Sequence, residues 1–337
     1  METSQLHNPK RRSTFRRFLS LIFLLAVLAA GVWAVLNRQF VIDQITVWQF
    51  KPSAEITALS RDASLNDHGT FLFYASQPEL QSATDFNSNC KTRETQSIVL
   101  GCYTNHRIFV FEVTDSRIVG VKTVTAAHEM LHAAYERLSS AERDRVDKLL
   151  EAQLAKTEDQ GMLDLVALYD KLEPGERWNE LHSIFGTEVA QLSGELETYY
   201  KQYFTDRSQV VAAYTHYHQV FTDLKAQATI LQDQLSSKKA TIDSKTAEYD
   251  TKLAQLESDI KAFNQRAATT GGFASQAEFS RARASLMTRQ SALTALAQQI
   301  NALVAEYNQI VGDLNAVGIE INELNDNLNS QSQSIGS

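Results

Sequence analysis

After Pro174 the chain runs for 163 residues without another proline, and between Gly194 and Gly271 it holds neither glycine nor proline. Proline removes a backbone donor and clashes with the preceding helical turn, so a stretch without it is free to form very long helices. The apolar residues here keep a seven-residue period. Leu286, Leu293, Ile300, Tyr307, Leu314, Ile321 and Leu328 form one column, and Leu296, Leu303, Ile310, Val317 and Leu324 the other. Apolar residues alternating at spacings of three and four over this length predict a coiled coil. The preceding segment has its own column at Tyr214, Phe221, Ala228, Leu235, Ile242, Tyr249, Leu256 and Phe263. Its partner column changes side, from Tyr217, Leu224 and Leu231 to Leu253 and Ile260, across a polar stretch at 236–246. That change predicts a register break in the seam. Thr269-Thr270-Gly271-Gly272-Phe273 divides the two arms. A short connection places neighbouring helices antiparallel, so residues 196–330 are expected to form a coiled-coil hairpin with its tip near 269–275. The second arm would be ~80 Å long at 1.5 Å per residue. Pairing of two chains, or of the chain with another protein, along such a seam stays open. Residues 331–337 read as a disordered tail.

The other end has a different texture. Residues 1–17 hold Lys10, Arg11, Arg12, Arg16 and Arg17 against Glu2, and Phe18 to Leu36 follow as 19 residues without a charge. That run is long enough to cross a bilayer as a helix, and the basic flank favours a cytoplasmic N-terminus with the rest of the chain extracytoplasmic. A cleaved signal peptide is the competing reading, although the run exceeds a usual signal core and carries Trp33 near its end. The net charge of −8 is the sum of a tail of +4 and a remainder of −12. Nucleic acid is therefore not the expected partner. The two cysteines, Cys90 and Cys102, both lie beyond the apolar run. Outside the cytoplasm such a pair reads as one disulfide closing a short loop. Free thiols or metal ligands are the alternatives, the latter poorly supported by two lone cysteines.

Residues 38–195 predict an α+β domain. Ser53 opens a helix over 52–65, and Thr70 to Ala75 reads as a buried strand. Residues 97–103 and 107–113 are β-branched and aromatic runs separated by Thr104-Asn105-His106, which predicts a hairpin. Residues 122–139 then switch to helical period. Ser139 and Glu142 form a capping-box pattern that opens another helix, reaching to about residue 159. Further helices are expected over 163–172 and from Trp178 to Leu192.

One motif carries chemistry: His128-Glu129-Met130-Leu131-His132. On a helix, residues four apart share a face, so both imidazoles can reach one Zn2+ while Glu129 serves as general base for the metal's water. Chance gives roughly 0.01 such motifs in a chain of this composition, so context decides. Here the motif lies on an amphipathic helix preceded by two apolar β-runs. Two histidines on an ordinary helix face are the plainer alternative. The elongated H-E-x-x-H-x-x-G-x-x-H pattern fails, with Tyr135 in place of the glycine and Leu138 in place of the last histidine.

Downstream, Trp178-Asn179-Glu180-Leu181-His182-Ser183 opens a second helix. With the first motif, this segment resembles the glutamate helix of the gluzincins, the His/His/Glu zinc peptidases, in a compact membrane-anchored form covering residues 97–190. The resemblance implies a zincin-like catalytic domain with His128, His132 and Glu180 on Zn2+ and Glu129 as catalytic base, acting on peptide or protein substrates. Glu188 is the rival third ligand. The family usually adds a Tyr, His or Arg that steadies the oxyanion. His182 and Tyr135 stand as the candidates beside Tyr169 and Arg177, and Tyr135 reads equally as a packing residue. A non-catalytic scaffold or binding protein built on the same domain is the second functional expectation. No P-loop, dinucleotide fingerprint or nucleophile elbow competes.

Overall fold

Helix dominates the chain, and among the described residues a single sheet of three short strands accompanies it. The computed structural model describes residues 12–90, 99–172 and 175–331. Most of the basic N-terminal tail, the start of the first β-run and all but one residue of the expected C-terminal tail lie outside them. In chain order the elements are α1 (Arg12–Leu36), α2 (Arg38–Gln49), α3 (Ala54–Asp62), α4 (Asp67–Ala75), β1 (Glu79–Gln81), α5 (Ala83–Asn89), β2 (Gly101–Thr104) and β3 (Arg107–Phe111). There follow α6 (Gly120–Glu136), α7 (Ser140–Leu154), α8 (Gln160–Leu172), α9 (Arg177–Thr187), α10 (Gly194–Tyr200), α11 (Ser208–Ala268) and α12 (Gln276–Leu328). The chain divides into a first unit, 1–217 with 328–337, and a second, 218–327.

Within α1, Arg16–Leu36 is long and apolar enough, at mean hydropathy 2.7, to cross a membrane or to serve as a signal sequence. The core of the first unit is built around α6, which packs against α9, α3, α4 and strands β2 and β3. β3 is central in the sheet, parallel to β1 and antiparallel to β2, which leaves β2 as an edge. Asn105 and His106 take positive φ in the β2–β3 turn, as a two-residue hairpin connection requires. The Cys90–Cys102 disulfide ties the end of α5 to β2. Ser53 caps α3, and Ser139 with Glu142 closes a complete capping box on α7. The expected strand at Thr70–Ala75 is instead the greater part of α4. Asn66 accepts from the Gly69 amide as N-cap, and Gly69, Leu72 and Phe73 turn inward at helical spacing. A short apolar run does not by itself distinguish the two periods.

The coiled coil begins later than the expected residue 196. Residues 196–207 belong to the first unit: α10 is a short helix capped by Ser193, and Tyr199, Tyr200, Tyr203 and Phe204 are buried in the core rather than set on a seam. In the second unit, α11 and α12 run antiparallel about a turn in which Gly271 supplies φ +71°. Lys238 meets Glu306, Lys245 meets Gln299 and Asp259 meets Arg289, so an advance along one arm matches a retreat along the other. Every position of the two α12 columns is covered or partly covered. The expected register break is seen in part. Lys238 and Lys245 continue the Tyr217–Leu224–Leu231 column with half-covered side chains; the cover then passes to Leu253, as expected, with Lys252 exposed, but Ile260 is exposed.

Arg207 links the parts that carry the site. Its buried guanidinium donates to the carbonyls of Phe185, Val189 and Ala190, just beyond and within the last turn of α9, and pairs with Glu197 on α10. Replacing it strands those acceptors in a buried place. Arg207→Met is expected to lower stability by ~2–3 kcal/mol, read as an earlier urea midpoint at unchanged slope.

Candidate metal centre

The sequence Gly120–Glu136 makes a helix that is buried almost all round, with His128 on its one partly open side. His128 and His132 stand one turn apart with ring centroids 4.8 Å from each other. α9 packs across them and places Glu180 in its first turn between the two rings: Oε2 lies 3.7 Å from His128 Nε2 and Oε1 lies 3.6 Å from His132 Nε2. One ligand atom from each of the three lies within 4.8 Å of the others. Tetrahedral zinc with bonds near 2.1 Å holds its ligand atoms roughly 3.4 Å apart, so both the donor set and the spacing fit that ion.

The surrounding groups orient this set. Asn179 Nδ2 donates to Glu176, which turns its Oδ1 toward His132 Nδ1 at 2.9 Å. His132 therefore carries its proton on Nδ1 and presents a bare Nε2 to the centre, the arrangement expected of a metal-binding imidazole. Glu180 also accepts a hydrogen bond from Tyr169. Burial pushes its carboxyl up, but His132, His128 and Tyr169 outweigh that and hold it below the usual carboxylate range.

Glu129 is buried beside the centre and accepts from the Tyr103 backbone amide on β2. Burial pushes its carboxyl up to about 7, against the attraction of His132. Gly101 makes this fit: a Cβ there would lie 2.7 Å from Glu129 Oε1 and 2.5 Å from the Thr125 methyl. The cleft over the centre encloses about 600 Å³ and is walled by β2, the motif residues, Tyr169, Glu176, Glu188 and Tyr217.

The structure brings His128, Glu129, His132 and Glu180 together. Glu188 lines the same cleft outside the three-residue group, with its carboxyl raised by burial and hydrogen-bonded to Tyr214. Of the four candidate oxyanion stabilisers, Tyr169 lines the cleft, whereas His182, Tyr135 and Arg177 are not among its walls. His182 is fully buried on the opposite face of α9, with Nε2 2.8 Å from the Tyr199 hydroxyl, and Tyr135 donates to Asp147. His182 lies two residues from Glu180 and so on the far side of α9, whereas Tyr135 shares a side of α6 with His132 but gives its hydroxyl to Asp147. His216 is exposed on α11. Sequence reasoning missed Tyr217 and Gly101 as site residues. Tyr217 had one signal, an aromatic ring in an otherwise aliphatic heptad column.

Compared with family models, curated proteins and solved structures, the chain matches none.

Two measurements check this assignment. Glu180→Gln is expected to weaken zinc binding at least tenfold in competition with a chelator, whereas Glu188→Gln leaves it within about twofold. Separately, burial holds His182 down at about 3 against 6.5 for a free histidine. Between those values the unfolded chain binds the extra proton, so this histidine's contribution is complete above about pH 6.5 and falls as pH drops. The loss approaches ~1.4 kcal/mol per pH unit, and urea titrations from pH 7.5 to 5 are expected to show that slope reduced in a folded His182→Leu variant.

Proposed function

We propose that the chain is a membrane-anchored zinc peptidase of the gluzincin kind, with a zincin-like catalytic domain facing outside the cytoplasm. The observation that carries this reading is the convergence of two imidazoles and a carboxylate, brought from two helices to one point, with a second, buried carboxyl beside them and a strand edge along the same cleft that no other strand covers among the described residues. His128, His132 and Glu180 would hold the ion. The chemistry a bound zinc supplies is polarisation of a peptide carbonyl and acidification of a water.

The chain's own residues do the rest. Glu129 takes a proton from the attacking water and delivers it to the leaving nitrogen, a role suited to a carboxyl whose affinity for protons is raised toward neutrality. The short fit at Gly101 keeps that carboxyl at the cleft side of β2. An extended peptide can add to the outer edge of β2 as a further strand, since among the described residues no strand pairs with that edge. Tyr169 and Asn179 hold Glu180 and His132 in place. Helix α1 serves as the anchor, with the basic tail inside, and the second unit offers a long surface for a protein partner.

The alternative, a scaffold that binds through the same domain without cutting, separates from this by measurement. The full chain in detergent is expected to carry one zinc per polypeptide and to hydrolyse members of a diverse peptide pool. Glu129→Gln is expected to keep the zinc and lose at least a hundredfold in rate. Bound zinc without hydrolysis by the wild type would assign the scaffold, and a protein without zinc would end the peptidase reading.

A further inference from the structure

The helix that follows the apolar segment has an apolar face that nothing among the described residues of the first unit covers. On α2, Ile42 is 53% exposed, Ile45 51% and Trp48 85%. At three-residue spacing these side chains form one ridge along the helix. Phe40, 48% exposed, sits at the junction, edge-on to Trp33 of α1 and beside Phe71 of α4. The other side of α2 is fixed. Asp43 is 3% exposed and receives two hydrogen bonds from Arg137, from Nε and Nη2, each 2.9 Å. At 100° per residue Ile45 and Trp48 lie 140–160° around the helix from Asp43. The ion pair that ties α2 to the end of α6 therefore turns the ridge outward.

We propose that this ridge rests in the interfacial layer of the lipid bilayer, so that α2 is a membrane-surface foot beneath the catalytic unit. The inference rests on reading α1 as an anchor. In that reading the apolar run ends at Leu36 and only Asn37 precedes α2, so the twelve residues of α2 start at the bilayer surface. A helix ~18 Å long that begins there and cannot turn its apolar ridge inward has lipid as its neighbour. Tryptophan and isoleucine beside a basic residue, Arg38, suit the boundary between headgroups and acyl chains. A second copy of the chain is a poorer occupant, because four side chains fall far short of the ~800 Å² per partner of a stable interface.

The test uses the full-length chain in phosphatidylcholine vesicles, comparing wild type with Trp48→Phe so that the difference in emission isolates Trp48 from Trp33 and Trp178. Trp48 is exposed, so its exchange does not threaten the fold. The expected result is a blue-shifted Trp48 component that loses at least half its intensity when the lipids are brominated high in their acyl chains. A red-shifted, unquenched component in protein that floats with the vesicles would overturn the foot and leave the anchor standing. Protein that fails to float would overturn both. A Trp48 component that shifts to the blue only as protein density in the vesicle rises, without bromine quenching, would assign the ridge to a second copy and overturn the proposal.

Discussion

Everything about the site depends on a buried helix that carries the three ionisable side chains His128, Glu129 and His132. From Val121 to Tyr135, α6 is enclosed by α3, α4, α9 and the sheet, so Glu129 and His132 have almost no water to solvate them. A lone carboxylate or imidazolium in that setting costs several kcal/mol. The cost is tolerable only if the polar groups meet one another, and α9 is the element that makes them meet. Its contact with α6 is close: a Cβ on Gly186 would come within 2.2 Å of the Leu131 side chain. Leu181, Ile184 and Phe185 add the apolar burial that holds the two helices together. Glu180 is thus placed between the histidines by a packing interface that begins beside it at Leu181 and runs on through Phe185 to Gly186.

That interface is unusual in being polar along part of its buried face. His182, Ser183 and Thr187 are all buried on α9. Ser183 and Thr187 return their hydroxyls to carbonyls one turn back, and His182 finds Tyr199. The Tyr200 hydroxyl donates to the His182 carbonyl, and Arg207 collects the carbonyls at the helix end. Residues 196–207 are therefore the support of α9, and the long helices begin only after that task is complete. The position of Glu180 depends on tyrosines and an arginine that lie outside the cleft.

This explains which parts were legible in the sequence. His128, Glu129 and His132 lie within one and a half turns of a single helix, so their common face follows from helical geometry. Glu180 was legible only through its resemblance to a known glutamate helix, and its rivalry with Glu188 was undecidable without the packing of α9. The heptad columns of α12 appear as written, because a repeat over many turns outweighs local ambiguity. The start of α11 did not, since Tyr199, Tyr203 and Tyr217 fit a helical period while serving the core or the cleft. His182 and Tyr135 misled for the opposite reason: their chemistry suited the role, but His182 lies on the far side of α9 from Glu180, and the Tyr135 hydroxyl is taken by Asp147. Lys238 and Lys245 show that polar residues can carry a seam onward. Their stems cover it and their ammonium groups reach Glu306 and Gln299.

The Asp43–Arg137 pair extends the same logic toward the N-terminus. Replacing such a buried pair with apolar side chains often leaves stability unchanged or raises it, so its presence argues for placement more than for strength. Arg137 stands at the end of the helix that carries the motif, and besides Asp43 it donates to the Tyr103 hydroxyl and the Ala133 carbonyl. Tyr103 is on β2, and its backbone amide faces Glu129. Its hydroxyl also donates to Glu136. One guanidinium therefore joins α2, the last turn of α6 and the edge strand of the cleft. A hydrophobic contact at this point would tolerate rotation of α2 about its axis, whereas two hydrogen bonds to one carboxylate do not. The orientation of α2, and with it the direction in which the cleft opens relative to the apolar segment, is set by that geometry.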